Sequence, residues 1–239
     1  MIMRSFLRFS VVLLLLSLIS GCITGKRGSG EVTVDERRPG SFDRIEVGGA
    51  FDIYLRQGPE HEVSVVTDDN LQDVVELRIE NGELIIETDG FISEFTELKV
   101  FITLPVLRGI ELSGACDLEG KNTFTGDHLD IELSGSCNAD LAVDLRSLDI
   151  DCSGACTLFL SGGARKMEVD LSGSCDLKAF PLTTDICRID VSGASDAEIA
   201  VMTELVADAS GASNITYLGD PKTLQIDSSG ASDVQQAKR

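Results

Sequence analysis

Among 239 residues the chain has no tryptophan, two tyrosines, two histidines and five prolines. The histidines, His61 and His128, lie in unrelated contexts, so neighbouring motifs assemble no His-based triad or zinc site. Gly-x-Ser-x-Gly, P-loop and Cys-x-x-Cys patterns are also absent. Basic residues are half as numerous as acidic ones, 20 against 40, for a formal charge of −20. A surface of that sign repels nucleic acid and anionic headgroups, so no nucleic acid is expected as a partner, and cations or basic surfaces are the natural company. Long apolar runs are missing with one exception. Phe9 to Ile19, preceded by Arg4 and Arg8, is too short for a stable membrane span and reads as a secretory signal.

That run closes with Ile19-Ser20-Gly21-Cys22, which resembles the lipobox of bacterial lipoproteins, where the cysteine takes lipid and becomes the first mature residue. An ordinary signal peptide with a chance cysteine is the plainer alternative. The lipobox reading makes residues 1–21 a signal peptide and Cys22 a membrane anchor. The stretch "ITGKRGSG", Ile23 to Gly30, has three glycines and no apolar pattern, so residues 22–40 are expected to form a flexible tether. The folded body is then 41–239.

What the chain does have is a repeat. The dipeptide Ser-Gly begins "SGACDLEG" at Ser113 and recurs at Ser134, Ser153, Ser172, Ser192, Ser210 and Ser229, at intervals of 21, 19, 19, 20, 18 and 19 residues. Immediately before the serine stand Leu112, Leu133, Cys152, Leu171, Val191, Ala209 and Ser228. Three residues before it stand Ile110, Ile131, Ile150, Val169, Ile189, Ala207 and Ile226. Apolar residues at every second position mark strands with one buried face. A period near 19 is too short for two helices or a propeller blade but suits one coil of a parallel β-solenoid. The expected fold is therefore all-β, a solenoid of about 19-residue coils, with residues 41–105 as a longer-stranded N-terminal part and 106–239 as seven Ser-Gly repeats. Gly114, Gly135, Gly154, Gly173, Gly193, Gly211 and Gly230 then share one structural corner, where a side chain would crowd the backbone.

Stacking at about 4.8 Å per coil places like residues one above another. Three residues after each serine the inward column reads Cys116, Cys137, Cys156, Cys175, Ser195, Ser213 and Ser232. Four stacked cysteines in an exported chain raise the question of disulfides. A Cβ separation near 4.8 Å against the preferred 3.8 Å favours free thiols as small apolar fillers, and Cys152 and Cys187 read the same way. Outward, two residues before each serine, stand Glu111, Glu132, Asp151, Asp170, Asp190, Asp208 and Asp227. Four residues after it stand Asp117, Asn138, Thr157, Asp176, Asp196, Asn214 and Asp233. Like charges 4.8 Å apart repel by about 0.9 kcal/mol in water and about 3.5 kcal/mol at an effective dielectric of 20. Glu111, Asp117, Glu132, Asp151, Asp170, Asp176, Asp190, Asp196, Asp208 and Asp227 are thus candidate cation ligands, with calcium the natural ion. The competing reading is a solvated face that only confers solubility, and no Asp-x-Asp-x-Asp-Gly loop argues against it.

An enzymatic reading rests on Arg188 beside Asp190, with Arg165 and Lys166 on a nearby bend, in the manner of solenoid polysaccharide lyases. The alternative for these residues is ordinary surface ion pairing. Outward aromatics for stacking on sugars reduce to Tyr54, Phe159 and Tyr217. After Val234 only "QQAKR" follows, scant cover for the last coil, so end-to-end stacking into a homo-oligomer is expected unless Lys238 and Arg239 act as gatekeepers.

Upstream, "IEVGGAFDIYL" from Ile45 to Leu55 fits the repeat frame with Glu46 and Asp52 in the matching places, marking a first coil. Asn81-Gly82 between alternating runs signals a tight turn. Five phenylalanines, Phe42, Phe51, Phe91, Phe95 and Phe101, give this end the bulkier core and the means to close the stack. "FDRIEVGGAFDIYLRQGPEHEVSVVTDDNLQDVVELRIENGELIIETDG" together with "GIELSGACDL" and its copies resembles the head GIN domain family, described as "putative auto-transporter adhesins" and frequent among Bacteroidetes lipoproteins. The resemblance spans Phe42 to Val234. It implies a right-handed single-stranded parallel β-helix in the cell envelope, at the outer membrane, with an envelope protein or glycan as partner. It implies no cofactor and no catalytic residues. Lys26 and Arg27 replace the acidic tract that marks some surface-exported relatives, leaving the periplasmic and surface faces equally open.

Overall fold

The computed structural model describes residues 25–238; the expected signal segment 1–21 and Cys22 lie outside the described residues. Nineteen strands follow in chain order: β1 Lys26–Arg27, β2 Val32–Arg37, β3 Arg44–Gly49, β4 Asp52–Gln57, β5 Glu62–Asp68, β6 Val75–Glu80, β7 Glu83–Thr88, β8 Ile92–Glu94, β9 Leu98–Leu104, β10 Gly109–Gly114, β11 Asp117–Gly120, β12 Phe124–Leu133, β13 Asn138–Cys152, β14 Thr157–Leu171, β15 Asp176–Val191, β16 Asp196–Ala209, β17 Asn214–Leu218, β18 Thr223–Ser228 and β19 Asp233–Gln236. One short 3₁₀ turn, Asp69–Leu71, interrupts them. No described helix is long and apolar enough to cross a membrane.

The strands wind as a parallel β-solenoid of about seven turns with about 19 residues to a coil, and two stretches of each coil carry the repeat's apolar columns. One wall stacks Ile45, Ile110, Ile131, Ile150, Val169, Ile189, Ala207 and Ile226 in direct register. The other stacks Ile53, Leu118, Ala139, Leu158, Leu177, Ala197, Ile215 and Val234. Period-two alternation thus becomes an interior filled from both sides, buried through most of the column.

The corners follow from sterics. Each of the seven glycines has a positive φ, +78° to +93°. A Cβ on Gly154 would lie 2.4 Å from the carbonyl oxygen of Gly135 one coil below, and the other corners repeat this geometry. The residue after each glycine donates its N–H to that lower carbonyl, as Ala155 does to Gly135 at 2.8 Å, so the ladder runs unbroken around the bend.

All six cysteines from Cys116 to Cys187 are buried free thiols, four of them, Cys116, Cys137, Cys156 and Cys175, inside the corner. They do more than fill space. Cys137, Cys156 and Cys175 point Sγ at the carbonyl oxygen three residues back, at 3.2–3.3 Å. Ser213 and Ser232 donate Oγ–H to the same acceptor position at 2.9 and 2.8 Å. Serine replaces cysteine higher in the column because both are donors that tie the corner back on itself. Burial alone pushes the Cys187 thiol up to about 12, which keeps it protonated and unreactive.

The N-terminal part departs from simple stacking. After β4 the chain descends: β7 pairs parallel beneath β3 and β9 beneath β4, and only then does β10 return above β3. Antiparallel β6 covers β7, and β5 covers β9, closing that end. Within 22–40, expected as a flexible tether, residues 26–27 and 32–37 are strands. β2 pairs antiparallel with β5, and β1 pairs with β8. Apolar burial is not what holds it, since Val34 is 65% exposed. Polar anchors are. The fully buried Asp68 accepts from Gly30 N–H at 2.6 Å, Thr96 N–H at 2.8 Å and Thr96 Oγ1 at 2.9 Å, while Arg37 donates to the carbonyls of Val75 and Gln72. The Thr96 backbone contact, with further help from Gly30 and the Thr96 hydroxyl, holds the Asp68 carboxyl below its ordinary value despite burial. At the other end β18 and β19 have no strand beyond them among the described residues. Leu224 and Ile226 are 47% and 40% exposed there, although the same column is sealed in every lower coil.

Candidate functional site

On the wall that ends at the Ser-Gly corner, three outward columns stand side by side. The column nearest the corner is acidic without interruption: Glu46, Glu111, Glu132, Asp151, Asp170, Asp190, Asp208 and Asp227. The middle column reads Arg44, Gly109, Asp130, Asp149, Glu168 and Arg188. The outer one begins His128, Ser147, Lys166. Three successive coils therefore set Asp130, Glu132, Asp149, Asp151, Glu168 and Asp170 around one shallow groove of about 200 Å³. Arg44 borders it below and Arg188 above, with Lys166 bound to Glu168 at 3.1 Å at the side.

Repulsion along this face is visible in the proton affinities. Burial, then Glu46, Glu132 and Glu83, push the Glu111 carboxyl above its ordinary value, and Arg44 opposes them. Asp170 is raised by burial and by Asp190, Asp151 and Glu168, against Arg188. The second predicted column, Asp52, Asp117, Asn138, Thr157, Asp176, Asp196, Asn214 and Asp233, lies on the other wall and is relieved at two of its steps. Asn138 donates to Asp117 and Asn214 to Asp196, each at 2.7 Å. Asp117, Asp176 and Asp196 are thereby separated from the groove, which gathers Glu132, Asp151 and Asp170 with three carboxylates of the middle column.

Two readings from the sequence are corrected. Tyr217 faces inward and is 7% exposed, because it occupies the Ile199 column. Of the remaining candidate aromatics, Tyr54 is stacked on Phe101 at 4.8 Å with the Lys121 ammonium 4.3 Å from its ring centre, and Lys178 covers Phe159. The second correction concerns His128, which has company. Its Nδ1 lies 2.6 Å from Ser147 Oγ, its Nε2 2.5 Å from Asp130 Oδ1, and Arg44 donates to Asp130 Oδ2 at 2.9 Å. The signal was available: His128 and Asp130 share a face two residues apart, and adding 19 to each gives Ser147 and Asp149. Arg165 and Lys166, expected on a bend, lie within β14.

A family description, "Putative auto-transporter adhesin, head GIN domain", matches residues 41–221. The chain belongs to the head GIN domain family. No curated protein matches. Among solved structures, a "putative adhesin" from Bacteroides fragilis superposes with a TM-score of 0.86 at 22% identity, covering 89% of this chain and 100% of that one. A "putative adhesin" from Parabacteroides merdae gives 0.69 at 20% identity over 90% and 99% of the chains. A "Putative lipid binding protein" from Parabacteroides distasonis gives 0.74 at 16% identity over 90% and 100%. Similarity at these identities establishes the shared solenoid fold.

Proposed function

We propose that this head GIN domain protein is a non-catalytic, lipid-anchored interaction module of the cell envelope that presents its acidic wall to a partner. The observation that carries the reading is the unbroken carboxylate column beside the six-carboxylate groove, held on a wall whose backbone is hydrogen-bonded rung to rung. A rigid array loses little conformational entropy on docking, and its charge draws basic or cation-bridged partners. The anchor at Cys22 and the outer-membrane address rest on the lipobox-like tetrapeptide and on the company this family keeps. The test is a glycan and envelope-protein array probed with the full chain, with and without calcium, beside a variant carrying Glu132→Gln, Asp151→Asn, Asp170→Asn and Asp190→Asn. Retention that the variant loses, with no product released, supports the reading, and absence of retention refutes it. Released product would favour the alternative, a calcium-assisted protein that cleaves polysaccharide.

The open last coil favours a second contact, between copies. Strands β6 and β5 close the lower end, so a partner copy would meet β18 and β19 tail to tail, covering Leu224 and Ile226 in a closed dimer. Light scattering that shows only monomer at high concentration, with Ile226→Lys behaving identically, removes this contact.

A further inference from the structure

We propose that His128, Asp130 and Asp149 form a binding site for one divalent transition-metal ion of the zinc class, at the edge of the acidic groove. One ligand atom from each residue lies within 4.8 Å of the others, on side chains that are only partly exposed. The arrangement differs from the acidic columns because it offers a nitrogen donor. Imidazole with two carboxylates suits zinc and its neighbours, whereas calcium takes oxygen.

The groups around these three residues are placed as metal ligands require. His128 Nδ1 lies 2.6 Å from Ser147 Oγ, which fixes the ring, and its Nε2 lies 2.5 Å from Asp130 Oδ1, a contact that a bound ion would replace by taking the place of the proton between them. Asp130 in turn is held through its other oxygen by Arg44. Arg44 reaches it across Gly109, where an added Cβ would lie 2.6 Å from the guanidinium carbon. Such outer partners orient ligands and are worth about 10–100-fold in metal affinity. Tetrahedral bonds of about 2.0–2.1 Å separate ligand atoms by about 3.3 Å, so Asp130 Oδ1 must swing outward by less than about 1 Å. With three protein ligands the fourth position faces solvent, since the His128 side chain is 41% exposed.

The test is calorimetric titration of the full chain with zinc chloride, paired with absorption spectra in cobalt chloride. One ion per chain is expected, with a visible cobalt spectrum free of thiolate charge transfer. His128→Ala should weaken binding at least 100-fold and Ser147→Ala about tenfold, while Glu111→Gln, on the acidic column, should leave it within about twofold of the parent. Circular dichroism identical to the parent shows that each variant is folded. No heat from millimolar zinc, an intense thiolate-to-cobalt band, or affinity undiminished in His128→Ala would each overturn the proposal. Heat from calcium alone that survives His128→Ala would do the same.

Discussion

Replacing Gly154 with alanine isolates the corner geometry. Gly154 has φ +90°, a conformation that costs an L-residue about 1–2 kcal/mol. The new Cβ would also stand 2.4 Å from the Gly135 carbonyl oxygen and 3.0 Å from its nitrogen. Relief requires parting two coils by most of an ångström, which sacrifices the 2.8 Å bond from Ala155 to Gly135, about 1 kcal/mol, and loosens the packing of Cys156 beneath it. The two stated costs come to about 2–3 kcal/mol of destabilisation, and the loosened packing adds to them. Gly126→Ala is the internal control: it lies in β12 with its nearest foreign atom, Leu145 Cδ2, at 3.7 Å, so alanine should be neutral or stabilise by about 0.5–1 kcal/mol. Urea unfolding followed by circular dichroism reads both. If the two variants shift the midpoint equally, the glycine column is not a steric corner and the reasoning fails.

The corner donors predict that Cys156→Ser retains more stability than Cys156→Ala, by about 1 kcal/mol, because the hydroxyl can still reach Ser153 O as Ser213 reaches Ser210; urea midpoints in the reverse order would contradict it. Asp68, with its folded value below the unfolded one, stabilises the protein above about pH 4, and that contribution disappears as pH falls through the folded value. Acid should therefore release β2 first, and hydrogen exchange should show residues 32–37 losing protection before the solenoid does, with Asp68→Ala doing so already at pH 7. Glu111 and Asp170 have the opposite sign. Raised folded values make their ionised forms destabilising above the carboxylate range and relieve the penalty below it. Glu111→Gln and Asp170→Asn should thus raise the melting temperature at pH 7, and the gain should vanish near pH 4 and shrink in high salt; an equal gain at both pH values would count against a charge effect.

The solenoid was legible in the sequence because its rule is local and repeated. Ile110, Ile131 and Ile150 announce a buried column by their spacing, and the corner glycines announce the bend. The lower cap was not. Strands β5 to β9 belong to one hairpin arrangement each, so no recurrence reveals that the chain descends below β3 before climbing above it. The course of 22–40 escaped for a related reason, since Gly30 and Val34 carry no burial pattern, and the anchor that orders them is a single carboxylate, Asp68, some 40 residues away. At the acidic wall the column of Glu111 to Asp227 could be read directly, yet Asp130, Asp149 and Glu168 went unremarked because the middle column changes sign at Arg188 and loses its charge at Val206. Tyr217 was misplaced by chemistry: an amphipathic ring passes for an outward residue until parity along β17 puts it with Ile199.

Spin labels on the Asp117 column measure the stacking itself. Those positions are exposed and the six described cysteines are buried, so with Cys22 replaced by serine the labels attach selectively to introduced cysteines. Labels at Asp117 paired in turn with Asp176, Asp196 and Asp233 lie three, four and six coils apart. Electron–electron dipolar distances should rise in proportion to coil number, to about 14, 19 and 29 Å. Distances that fail to grow with coil number would contradict the vertical register on which the corners, the acidic wall and the metal site all stand.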